Sequence, residues 1–182
     1  MVHALGRMHR DLKSGNILVT TVAVGQGHEI QMRVKVADFG TATLANLASA
    51  ASNNTAGGEE NRQSIVLDGQ IAFDIRAKTR RTKGVGTPLW MAPEVLGGKH
   101  YDTKADLYSF GIVMWEIASR AEPWGNIQGT FSMESLLQKI LAGERPPMQE
   151  DWPMLFKNVM RQCWTTDPNE RPAFSDILQW LE

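Results

Sequence analysis

The chain has 182 residues, 42% of them hydrophobic, a formal net charge of -1 and a single cysteine, Cys163. That length suits one globular domain with a sizeable core, near-neutrality gives no electrostatic reason to bind nucleic acid or an anionic membrane, and one cysteine excludes an internal disulfide framework or a cysteine-built zinc site. His3, His9, His28 and His100 stand singly, and no apolar run approaches a membrane span, so neither a histidine metal cluster nor a spanning helix is expected and a reducing, cytoplasmic setting is the default.

In chain order, residues 1–7 read as the last turns of a helix and lack the pattern of a secretory signal. His9-Arg10-Asp11-Leu12-Lys13-Ser14-Gly15-Asn16 then places an acid, a cation and an amide at spacings suited to phosphoryl transfer. A carboxylate at Asp11 can take the proton of an attacking hydroxyl, Lys13 can steady charge on the moving phosphoryl, and Asn16 can offer an amide oxygen to a metal ion. Two strand-like runs, 17–22 and 32–36, flank Gly25-Gln26-Gly27-His28 and predict a hairpin with Met32, Val34 and Val36 on one face. The hairpin leads into Ala37-Asp38-Phe39-Gly40, where Asp38 is the natural second metal ligand, magnesium needing few protein oxygens when phosphates supply others.

Past Gly40 the texture changes. Residues 45–58 are rich in Ala, Ser, Asn and Gly without an apolar period, which predicts disorder. Ser64-Ile65-Val66-Leu67, then Asp68-Gly69, then an alternation of Ile71, Phe73 and Ile75 predicts a second, smaller hairpin, the competing reading being a sticky stretch of loop. The basic run Arg76, Lys78, Arg80, Arg81 and Lys83 lacks interleaved aromatics and reads as a solvated loop in preference to a nucleic-acid patch. Residues 103–119 are apolar nearly all the way round, which predicts a helix surrounded on most sides. Ser132 caps a run that stops at Gly143, Asp151 precedes a run with Pro153 in its first turn that ends near Trp164, and Pro172 opens a last run through Leu181. The tryptophans spaced through this region read as core.

Asp11 with Asn16, then Asp38-Phe39-Gly40, then Ala92-Pro93-Glu94 form an ordered set that resembles the downstream half of the protein-kinase signature. The resemblance covers essentially the whole chain but only the latter part of that family's domain. It implies an α+β, protein-kinase-like fold: a mainly α-helical C-lobe with a small β-hairpin, the N-lobe absent. Residues 1–182 would be a partial kinase domain, from catalytic loop to last helix, and 41–84 a long, partly disordered insert in the activation segment. The segment joining the hairpin strands, and Trp90 in the stretch 86–94, resemble the tyrosine-kinase-like group, particularly its Roco type. Lys13 together with Thr87 resembles serine/threonine kinases.

By that resemblance Asp11 is the catalytic base, Lys13 the phosphate-side cation, Asn16 and Asp38 the magnesium ligands, and Leu18 part of the apolar floor under adenine. The cofactors implied are ATP and Mg2+, and the partners a protein substrate and an upstream N-lobe. His9 would pack beneath Phe39, Gly40 completes that motif, Asp106 would accept backbone hydrogen bonds from around His9 and Arg10, and Arg171 would pair with Glu94. Thr79 or Thr82 would be a regulatory phosphosite facing Arg10. Two functions stay open: a protein kinase phosphorylating serine or threonine, and a catalytically inactive, truncated or pseudokinase-like docking or regulatory module. Since the sequence has no room before His9 for a glycine-rich loop, a strand lysine and its helix glutamate, this chain alone is expected to be inactive, with one side of the 103–119 helix uncovered.

Overall fold

The computed structural model describes residues 7–24, 29–39, 43–44, 65–67, 70–72, 87–99, 102–125 and 132–181. The strands are β1 (Arg7–Met8), β2 (Ile17–Val24), β3 (Glu29–Val36), β4 (Thr43–Leu44), β5 (Ile65–Leu67) and β6 (Gln70–Ala72), and the α-helices α1 (Pro93–Leu96), α2 (Lys104–Ser119), α3 (Met133–Leu141), α4 (Met154–Cys163) and α5 (Phe174–Leu181). Gly40, Thr79, Thr82, the 45–58 stretch and the basic run 76–83 lie outside the described residues.

Three antiparallel strand pairs form. β2 and β3, rich in β-branched residues, pair over their full length from Ile17 opposite Val36 to Val24 opposite Glu29, two residues further than the apolar pattern alone marks on β2 and three further on β3. β1 pairs with β4, Arg7 opposite Leu44 and Met8 opposite Thr43, so the chain just before His9 is tied to the chain just after Phe39. β5 and β6 pair Ile65 with Ala72, Val66 with Ile71 and Leu67 with Gln70, the register expected of antiparallel strands separated by two residues in the sequence.

Capping chemistry sets the helix ends. The Ser132 hydroxyl accepts the Ser135 N–H at 3.2 Å and starts α3. Pro153, expected inside the first turn of α4, is instead its N-cap with φ -52° and ψ 134°, so the helix begins at Met154. The last helix begins at Phe174, two residues after the expected Pro172, because the Asp176 carboxylate reaches back to the Ala173 N–H at 2.7 Å. At the end of α2, Arg120 takes a left-handed conformation, φ 54°, and its N–H bonds the Glu116 carbonyl at 2.8 Å.

The core gathers around α2. Leu107, Tyr108 and Ile112 are fully buried there, against Leu89, Ile140, Val159, Met160, Cys163 and Ile177. Burial continues along α2 through Trp115, which corrects the expectation that one side of this helix is uncovered; Ile117 alone among its large apolar residues is exposed. The hairpin carries one group of exposed apolar side chains, Val19 at 57%, Ile30 at 72%, Met32 at 71% and Val34 at 62%, with others on α4 and α5, among them Met154 and Leu178. Register explains the clustering, since Val19 stands opposite Val34 and Thr21 opposite Met32, which puts them on one face.

α2 and α4 approach so closely at Gly111 that a Cβ there would stand 2.9 Å from the Cys163 Cβ and 3.5 Å from that of Trp164. Overpacking of this kind costs about 1–3 kcal/mol, more than the roughly 0.5–1 kcal/mol that alanine gains over glycine in a helix. Gly111→Ala is therefore expected to lower the urea midpoint of unfolding; a midpoint at or above that of the parent chain would refute this packing.

Candidate active site

The site is built on Asp106, a carboxylate in the first turn of α2 that is 2% exposed. Buried, it needs donors, and two successive backbone groups supply them: His9 N–H reaches Oδ2 at 2.7 Å and Arg10 N–H reaches Oδ1 at 2.9 Å. Arg10 has φ 71°, a left-handed conformation that residues other than glycine adopt rarely. Hydrogen bonds to a charged acceptor contribute about 1.5–3 kcal/mol each, enough to offset the roughly 1–3 kcal/mol that such a backbone costs.

His9, also buried, ties this turn to the Asp38 segment. Its Nε2–H donates to the Ala37 carbonyl at 2.8 Å, which leaves Nδ1 as the acceptor of a long bond, 3.4 Å, from the Asp11 N–H. Its ring meets Phe39 edge to face with centroids 4.9 Å apart. The Ala37 N–H in turn donates to the Asn16 carbonyl at 2.8 Å. Both backbone polar groups of Ala37, the residue before Asp38, are thus fixed to the 9–16 loop. Asp38 itself is exposed, with φ 60°.

Within the loop, Lys13 Nζ stands 2.9 Å from Asp11 Oδ2. The Asn16 amide donates to the Asp11 carbonyl at 2.7 Å and to Oδ2 at 3.3 Å, and the Asn16 N–H closes a 3-10 turn on the Lys13 carbonyl at 3.0 Å. With its NH2 end engaged by Asp11, the Asn16 side chain has its carbonyl oxygen for another partner. That oxygen and the Asp38 carboxylate are hard donors of the kind magnesium takes. Two protein oxygens would leave the ion's remaining positions to water or phosphate, as magnesium ordinarily has them. Leu18, one residue into β2, is half exposed, and Thr87 opens the 3-10 turn Thr87–Trp90.

At the far side of α2, Arg171 and Glu94 form a buried two-point pair, NH1 to Oε1 at 2.6 Å and NH2 to Oε2 at 2.8 Å. The same guanidinium donates to the carbonyls of Thr165, Lys104 and Thr166, and Lys104 Nζ returns bonds to the carbonyls of Arg171 and Pro172. This knot ties α1 and the start of α2 to the turn before α5.

Three contributors escaped the sequence reading. Arg145 donates to the Trp164 carbonyl at 2.8 Å and the Ile140 carbonyl at 3.3 Å, closing the C-terminal ends of α4 and α3 together. Burial holds its pKa below the ordinary arginine value. It lies 5.0 Å from the centroid of the Tyr108 ring, with Arg171 at 5.3 Å, and burial pushes the Tyr108 phenol up to about 12. Glu116 accepts the Trp90 indole N–H at 2.6 Å and the Ser14 hydroxyl at 2.9 Å; burial raises its pKa and Glu122 adds to the rise, while those two bonds oppose it. A lone carboxylate late in an apolar helix was the available signal for Glu116. Nothing local marked Ser14.

A family model described as "Protein kinase domain" matches residues 1–181. A Dictyostelium discoideum protein named as a probable serine/threonine-protein kinase is 34% identical over 179 residues, 97% of this chain and 10% of that protein. A serine/threonine/tyrosine-protein kinase of Arabidopsis thaliana is 33% identical over 181 residues, covering 100% of this chain and 36% of the relative. The dual specificity protein kinase shkA of Dictyostelium discoideum is 35% identical over 176 residues, 96% of this chain and 26% of its own length. This chain therefore spans only a tenth to about a third of the length of these three curated relatives.

Arg171→Met leaves Glu94 buried without its counter-ion and is expected to cost about 3–5 kcal/mol in chemical denaturation. Adding Glu94→Gln removes the orphaned charge and is expected to recover part of that loss. A single-variant cost below about 1 kcal/mol, the size of an exposed pair, would contradict the pair's role.

Proposed function

The chain belongs to the protein kinase family, and from that premise we propose that it supplies the phosphoryl-transfer centre of a serine/threonine kinase. The observation that carries the reading is the double attachment of Ala37, to Asn16 and to His9, which roots Asp38 in the same loop as Asp11, Lys13 and Asn16. Asp11 receives the proton of the acceptor hydroxyl, through Oδ1, since both side-chain contacts to Asp11 fall on Oδ2. Lys13, braced on Asp11, holds positive charge beside the transferred group of ATP, and its place is fixed before substrate arrives. Asn16 and Asp38 would hold magnesium, which when bound neutralises phosphate charge. Leu18, open to solvent on β2, offers apolar surface to the adenine.

The finer reading rests on sequence as well. Lys13, Thr87 and the relatives named as probable serine/threonine-protein kinases favour serine and threonine as acceptors in a protein substrate, while the names of two other relatives add tyrosine or dual specificity. Trp90 and the long β2–β3 hairpin favour the tyrosine-kinase-like group, Roco-like within it. Residues 1–182 act as the C-lobe part of the domain, 41–84 as an insert in its activation segment, and Thr79 or Thr82 as a phosphosite read by Arg10. The exposed apolar face carrying Val19, Ile30, Met32 and Val34 suits cover by an upstream lobe of the kinase domain. A reducing, cytoplasmic setting suits the single thiol, Cys163, which is buried and pushed up to about 12 by that burial.

The test is phosphoryl transfer by the natural polypeptide carrying these residues, with Mg2+, ATP and peptides bearing a single Ser, Thr or Tyr. Label is expected on Ser and Thr, and Asp11→Asn is expected to lower kcat at least about a hundredfold. An unchanged rate in that variant would overturn the assignment of Asp11, transfer to Tyr alone would overturn the specificity, and no transfer by the intact polypeptide would favour the docking module.

A further inference from the structure

The two faces of the β2–β3 hairpin carry different chemistry. Residues directly opposite in an antiparallel pair share a face, so Val19, Val34 and Met32 lie on one, while Leu18 with Lys35 and Thr20 with Arg33 lie on the other. Leu18, Arg33 and Lys35 are all exposed. Neither cation forms an ion pair among the described residues, and β2 carries no charged residue at all. The hairpin's one acid, Glu29, stands opposite Val24 at the far end, about 20 Å along the strand from Lys35.

Cover over this face is not neutral for the cations. Opposed side chains start from Cβ atoms about 5 Å apart, so whatever closes over Leu18 closes over the Lys35 stem as well. A cation withdrawn from water without an anion is strongly unfavourable. Lys35 and Arg33, two residues apart on one strand face and so about 7 Å from each other, also repel until an anion stands near both. The phosphates of a bound nucleotide do not meet that need: Lys13, Asn16 and Asp38 are the groups at their end. Lys35 stands three residues before Asp38, about 10 Å along the strand, beside the floor under the base.

We infer that the upstream segment closing over Leu18 is acidic where it crosses Lys35 and Arg33, one of its carboxylates pairing with the Lys35 ammonium. The inference rests on the upstream lobe assigned above and names the charge of its contact. The apolar face of the hairpin supplies buried area to that lobe, and the cationic face fixes where it sits.

Zero-length carbodiimide coupling of the natural polypeptide carrying these residues, followed by peptide mapping, tests it. The Lys35 amine is expected to join a carboxylate outside residues 1–182, while Lys139 joins Glu144, 2.9 Å away, as the internal control. Lys35→Glu is expected to lower the thermal midpoint of the polypeptide by about 2–4 °C. Replacing the coupled acid by lysine in that variant is expected to restore it, which a merely damaged hairpin would not allow. Lys35 uncoupled while Lys139 couples, or Lys35 coupled to a carboxylate within residues 1–182, overturns the inference. So does a Lys35→Glu variant that keeps its midpoint and changes only KM for ATP, since Lys35 then serves the nucleotide. With Asp11-dependent transfer present, each of these results leaves the kinase reading standing. Coupling as expected in a polypeptide that transfers no phosphate overturns the kinase reading and leaves the acidic contact in place.

Discussion

One buried carboxylate organises the functional end of this molecule. Asp106 receives two consecutive backbone N–H groups, His9 and Arg10, and so holds the chain in a left-handed turn immediately before Asp11. Everything downstream in space leans on that turn. His9 reaches Ala37 and Phe39 from it, Ala37 reaches Asn16, and the loop carrying Asp11 and Lys13 is closed on the same few residues. A buried anion without donors would be costly, so the helix needs the loop as much as the loop needs the helix.

The same device recurs along the helical body. Asp106 near the start of α2 and Glu116 near its end each accept two donors from loops, and Glu94 on α1 accepts both arms of Arg171. Between the two carboxylates of α2 the helix is apolar and buried, which gives them a rigid spacing. Arg145 and Arg171 approach Tyr108 of the same helix and tie the ends of α3, α4 and the turn before α5 around it. The catalytic candidates thus sit on loops, while their positions are dictated by charged groups on helices.

How much of this could be read from sequence depended on range. Ser132 three residues before Ser135, and Asp68-Gly69 between apolar runs, are local signals whose outcome the backbone fixes within a few residues, and the α3 cap and the β5–β6 register follow them. The spacing of Asp11, Lys13 and Asn16 likewise needs one short turn to bring them together. Asp106 lies 97 residues from His9, and no spacing rule connects them; only family resemblance pointed there. Glu116 has neither a local cap nor a motif, since its partners Ser14 and Trp90 lie 102 and 26 residues away. The exposed apolar face was assigned to the wrong element for a related reason. Periodicity identifies α2 as apolar all round, but whether that surface is covered depends on α3, α4 and α5 packing around it, and their caps say nothing of where they pack.

The central claim is that Asp106 holds the loop carrying Asp11, and hydrogen exchange at the His9 and Arg10 amides in Asp106→Asn tests it most directly. Asparagine presents one oxygen where aspartate presents two and turns an NH2 toward the second donor. The account predicts that at least one of these two amides exchanges about tenfold to a hundredfold faster than in the parent chain, the loss of one bond to a charged acceptor, with the β2–β3 amides unchanged. Parent-like rates at both His9 and Arg10 would contradict it.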